Sequence, residues 1–143
     1  GKLQTPIMGC YGIGVGRLLA SVIEDNHDDY GPIWPMSVAP WQIHICSLNN
    51  QKEEVKSAAE EIYSALSGKY EVVLDDRKAA PGIQFADADL LGVPVRVVVS
   101  QRGLANGEIE IATRDKSVKM NVKKEDALAQ IEALTERLCR ESR

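Results

Sequence analysis

The sequence predicts an α/β fold, a mixed five-stranded sheet flanked by helices, preceded by a short strand–helix segment that stands apart. Three observations carry this. From Trp41 onward, apolar runs at strand and helix spacing succeed one another as β-α-β-α-β-β-β-α. Two strand–helix–strand successions imply parallel pairing, and a hairpin adds antiparallel strands. Ahead of them, Met8–Leu19 alternates glycine with Tyr11, Ile13 and Val15, then runs into an apolar helix.

The elements follow in order. Glycine inside a strand is costly and marks a bulge or a close approach, so Met8–Val15 reads as a strand offering bare backbone. After Gly16, Leu18, Leu19, Val22 and Ile23 share one helix side. Pro32, Pro35 and Pro40, with Asp28, Asp29 and Gly31, make a linker. Trp41–Leu48 reads as a strand. Asn50 and Glu53 are spaced as a capping pair. Val55, Ala58, Ala59, Ile62, Tyr63 and Leu66 form a helical stripe, closed by Gly68. Tyr70–Leu74 is a second strand and Asp75–Pro81 a polar loop. Gly82–Leu91 is a short helix with Ile83, Ala86 and Leu90 inward, stopped by Gly92 and Pro94. Val95–Ser100 is apolar enough to be central. Glu108–Ala112 and Val118–Val122 alternate as a hairpin. Ala127, Leu128, Ile131, Leu134 and Leu138 set the inner face of a last helix. The division expected is 1–30, a linker at 31–40, and a domain at 41–143.

Composition narrows function. The chain of 143 residues has a formal net charge of −4 and is 44% hydrophobic. That balance argues against holding nucleic acid by bulk positive charge. It leaves open the reading of exposed RNA bases, which uses stacking and edge hydrogen bonds. Cys10, Cys46 and Cys139 are isolated, with neither metal-ligand nor redox spacing, and a reduced cytosolic setting suits them. His27 and His44 are isolated too. All five read as packing or surface residues. No apolar run reaches membrane-spanning length. The glycine segment sits where its sheet neighbours could not precede it, so the chain is expected to be the tail of a larger protein.

Two segments could hold chemistry. Gly12-Ile-Gly-Val-Gly-Arg17 suggests a dinucleotide loop, but its third glycine comes one position early and a proline-rich linker stands where a second strand is required. An NAD-dependent oxidoreductase is therefore a minor alternative. The second segment is Asp75-Asp-Arg-Lys-Ala-Ala-Pro81 and the helix after it. Such a loop leaves the C-terminal end of a parallel strand, where open α/β sheets bind ligands. Arg77 could pair with a base edge or phosphate, Phe85 could stack on a base, and Asp87 could accept from a guanine's N1 and N2 hydrogens. Arg96 in the next strand could reach the same surface. On the residues alone, the loop equally describes a solvated turn. For Phe85 the residues alone favour core over stacking, and Asp87 could cap or brace the helix.

Met8-Gly-Cys-Tyr-Gly-Ile-Gly-Val-Gly-Arg17 resembles motif 3 of class II aminoacyl-tRNA synthetases. With Ile33-Trp-Pro, Val38-Ala-Pro40, Leu74-Asp-Asp-Arg77, Pro81-Gly, Phe85-Ala-Asp87 and Leu91-Gly-Val-Pro94, the wording is similar to the bacterial-type prolyl-tRNA synthetase family. The likeness covers nearly the whole chain and weakens after Arg102. Gly16 departs from the serine more usual there and removes a hydroxyl.

The resemblance implies that residues 1–30 are a remnant of the catalytic domain. Gly12 and Gly14 would floor an ATP pocket, and Arg17 would touch the phosphates by a forked contact. It implies that 41–143 is an anticodon-binding domain, with Arg77, Lys78, Phe85, Asp87 and Arg96 facing the anticodon loop of proline tRNA. The intact cytoplasmic enzyme would be a homodimer that activates proline with ATP and Mg²⁺. This chain, lacking the earlier motifs, would bind no cofactor and catalyse nothing by itself. A stand-alone interaction module of the same fold, with no anticodon reading, is the alternative. Binding that distinguishes proline tRNA from a tRNA with another anticodon separates the two.

Overall fold

A computed structural model describes residues 1–142. It contains α1 (Val15–Asp25), β1 (His27–Asp28), β2 (Gly31–Pro32), β3 (Ile43–Leu48), α2 (Glu53–Leu66), β4 (Val72–Asp75) and α3 (Pro81–Leu91). There follow β5 (Val95–Ser100), α4 (Gln101–Ala105), β6 (Glu108–Thr113), β7 (Lys119–Lys123) and α5 (Ala127–Glu141), with one 3-10 turn before α5. The main sheet has the order β4-β3-β5-β6-β7. β3 runs parallel to both β4 and β5, while β5–β6 and β6–β7 are antiparallel. The mixed five-stranded sheet is the one expected, and β5 is central.

Strand periodicity sorts the side chains onto two unequal faces. Ile43, Ile45, Val95, Val97, Val99, Ile109 and Ile111 face α2 and α5, and meet Val55, Ile62, Leu66, Ile131 and Leu134 in the main core. The opposite face is covered by α3, because the chain leaves β4 in the reverse direction, passing over β3 to β5, and right-handed crossovers then put successive helices on opposite sides. That second core is thin: Cys46, Ala88 and Val98, with Leu48 and Phe85 packed on it.

Several local expectations are corrected. Met8–Val15 is not a strand: residues 1–14 carry no regular structure, and no strand among the described residues supplies the ladder partners it would need. α1 starts at Val15, buries no residue, and leaves Leu18 and Leu19 exposed. Asn50 does not cap α2. The cap position is Lys52, without a side-chain bond, because the Asn50 amide is engaged by Ser47 Oγ and Asp76 O, both at 2.9 Å. Tyr63 lies at the rim of the α2 stripe, partly exposed. The face of α3 is rotated from the expected one. Gln84 and Ala88 are buried, whereas Ile83, Ala86 and Leu90 are exposed. Helix α4 has no counterpart among the elements expected from sequence; its five residues follow directly on β5, and Ser100 caps it by accepting from Gly103 N at 3.1 Å.

The linker packs against the domain. Met36 is buried in the main core, and Trp34 Nε1 donates to Leu91 O at 3.0 Å. The Asp28 carboxylate takes a two-pronged bond from the buried Arg114, at 2.7 and 2.8 Å. This changes what a truncation removes. We expect deletion of residues 1–25 to leave the thermal transition in place. Deletion of 1–30 also strips Asp28 from Arg114 and should lower the midpoint measurably, since an orphaned buried charge is costly. Calorimetry of the two truncations checks this, and equal midpoints would refute it.

Candidate nucleic-acid interface

The thin second core leaves a groove. Because α3 lies over β3 and β5, the edge strand β4 is uncovered on that side. His44, Val73, Leu74, Asp75, Asp76, Arg77, Asp87, Leu90 and Leu91 enclose about 330 Å³ there. The floor is apolar and the rim is charged. A cleft of this size, mostly apolar with a few convergent polar groups, suits a planar ring.

Arg77 organises the rim. Its Nε and Nη2 donate to the two oxygens of Asp75 at 2.9 and 2.8 Å, a forked pair. Nη2 also reaches Asp87 at 2.8 Å. Asp75 is only 6% exposed, and hydrogen bonds from Arg77 hold its carboxyl below the usual carboxylate range. The loop beneath is pinned from inside: buried Gln84 donates to Arg77 O at 3.0 Å, and Asn50 Nδ2 to Asp76 O. Arg77 is thus held rigid between two carboxylates, with Nη1 uncommitted among the described residues. Three carboxylates against Arg77 and Lys78 make the rim a poor seat for phosphate and a better one for N–H groups of a base.

The structure brings Arg77 and Asp87 together and sets the other candidates elsewhere. Lys78 is exposed on the loop. Phe85 packs on the thin core under α3, with the Arg96 guanidinium 5.2 Å from its ring centroid. Arg96 donates to Asp89 at 2.8 Å and is mostly buried, as is Asp89. Phe85 and Arg96 therefore form a support beneath the helix. Gly12, Gly14 and Arg17 lie in the exposed N-terminal segment. No heavy atom of another segment comes within 4 Å of a Cβ built on Gly12 or Gly14.

Residues 42–134 match the model of the anticodon binding domain. This chain belongs to that family. A proline–tRNA ligase from Xylella fastidiosa is 48% identical over 135 residues, which is 93% of this chain and 24% of the relative. One from Dehalococcoides mccartyi is 48% identical over 92% of this chain, and one from Geobacter sp. 52% identical over 80%. The chain spans about a quarter or less of those relatives' length.

The groove also holds a residue that the sequence reading does not single out. His44, expected to be a packing or surface residue, is 2% exposed and lines the groove. Its Nδ1 has no partner among the described residues. Alternation along β3 puts His44 on the same face as Cys46, the one sequence signal that could have found it. Burial pushes the His44 imidazole below its ordinary value; Asp75 opposes this, and Arg96 and Arg77 add to it. Burial also pushes the Cys46 thiol up to about 12, so that thiol is inert.

A histidine depressed in the folded state holds fewer protons there than in the unfolded chain. Stability from His44 is present above the ordinary value of 6.5 and declines as pH falls below it. Loss of Asp75 binding to Arg77 belongs to a lower window, below 3.8. Urea midpoints should fall between about pH 7 and about pH 5, and an H44N variant should flatten that slope. An unchanged slope in the variant would exclude His44 as its source.

Proposed function

We propose that this domain binds the anticodon loop of proline tRNA in the groove between β4 and α3, as part of a longer proline–tRNA ligase. The observation that carries this is Arg77, held between Asp75 and Asp87 at the mouth of an apolar cleft. The identity with proline–tRNA ligases supports the choice of tRNA. In this reading Arg77 and Asp87 contact a base edge, Lys78 meets the backbone, and Leu90 and Leu91 cover the ring. Phe85 and Arg96 hold α3 from below. The whole protein would activate proline with ATP and Mg²⁺ in the cytoplasm, as a homodimer. Gly12, Gly14 and Arg17 would join the ATP site once the remainder of that protein surrounds them. The proline-rich linker would connect that body to the domain at 41–143.

Two experiments test this. Proline tRNA should bind more tightly than a tRNA with another anticodon at fixed low salt, and R77A should weaken the former by about tenfold. The salt slope should hardly move, because Arg77 contacts a base rather than a phosphate. Equal affinity for the two tRNAs would overturn the reading. In addition, proline-dependent ATP–pyrophosphate exchange by these 143 residues should stand at background; measurable exchange would contradict the assignment of catalysis to the rest of the protein.

A further inference from the structure

The C-terminal end of α3 is held by another part of the chain. The last carbonyls of a helix have no partner within it. Here Arg114 Nε donates to Asp89 O at 2.9 Å. Trp34 Nε1 donates to Leu91 O at 3.0 Å, and Trp34 N to Gly92 O at 3.2 Å. The rest of the Arg114 guanidinium faces the linker. Nη1 and Nη2 take the two oxygens of Asp28, and Nη2 also reaches Gly31 O at 3.2 Å. Arg114 is 3% exposed. One buried cation therefore joins the linker to the end of a helix, where positive charge is favoured.

The approach is too close for side chains. Gly31 has φ +142°, and a Cβ there would meet Asp89 O at 2.9 Å. Gly92 has φ +72°, and its Cβ would run into Pro32 O. The same end of α3 carries Leu90 and Leu91, which wall the groove. We propose that Arg114 is a positioning residue: by clamping Asp28 and Gly31 onto the C-terminal carbonyls of α3, it fixes the wall of the groove and the shape offered to a base. Lysine cannot replace it, because one ammonium cannot span a forked carboxylate and two carbonyls together. The clamp is independent of what the groove binds; its consequence for RNA rests on the function proposed above.

The test uses the full chain with R114K and D28N, read by NMR and by tRNA titration. Trp34 indole exchange should accelerate about tenfold, while amides of β3 and β5 keep their protection. The His44 ring is faced by Asp75, Arg77 and Arg96, and it shares the groove with Asp87, Leu90 and Leu91 of α3. A loosened α3 should therefore move its titration upward toward 6.5. A change in global stability alone would not move a native-state titration. Affinity for proline tRNA should fall about threefold to tenfold.

Unchanged indole exchange in both variants would overturn the clamp. Faster exchange with an unmoved His44 titration would show that the linker detaches without shifting the wall, and would also overturn it. Unaltered tRNA affinity with a shifted His44 would remove its role in binding. If the parent binds no tRNA, the functional reading falls, and the two NMR measurements still decide the clamp.

Discussion

A single helix must cover the second face of a five-stranded sheet. On the first face α2 and α5 together bury seven branched strand residues, and this supplies most of the apolar driving force. On the second, α3 spans β3 and β5 and leaves β4 bare. The groove exists because one helix is about 10 Å wide and the sheet is wider. Strand alternation places Val73 and the buried imidazole of His44 on its floor, with Leu90 and Leu91 of α3 beside them. Its rim is charged because β4 ends in an aspartate that the next loop answers with Arg77.

Charge in this protein specifies positions more than it stabilises the fold. Replacing buried ion pairs by apolar residues is often neutral for stability. Arg77 and Arg114 are each committed to carboxylates, and each locates a segment that the cores do not grip. Arg77 locates the loop after β4. Arg114 locates the end of α3. Between them they frame the groove at its mouth and along one wall. The helix itself needs such help, since Ile83 and Leu90 point outward and Gln84 occupies an inward position.

Much of the fold was legible because periodicity reports burial. Val95–Ser100 and the hairpin of β6 and β7 were readable to within a residue or so, since their alternation has one consistent interpretation. The stripe of α2 was readable for the same reason. The face of α3 was not. Its apolar residues outnumber those its short contact can bury, so hydrophobicity pointed to Ile83 and Leu90 while the contact chose Gln84 and Ala88. The glutamine is buried because the backbone of the loop after β4 needs a donor. Asn50 shows the same competition: a local capping geometry loses to a distant carbonyl at Asp76.

What the sequence determined by itself was the fold class, the parallel and antiparallel pairing, and the loop after β4 as the place to look. These depend on local patterns and on handedness rules that act along the chain. What only the tertiary structure decided was which residues meet there. Arg77 with Asp87, His44 in the same groove as Leu90, and Arg114 with Asp28 across 86 positions join segments that sequence spacing does not relate. Phe85 was set beneath its helix rather than in the groove by the rotation of α3, a choice made by the packing of the whole face.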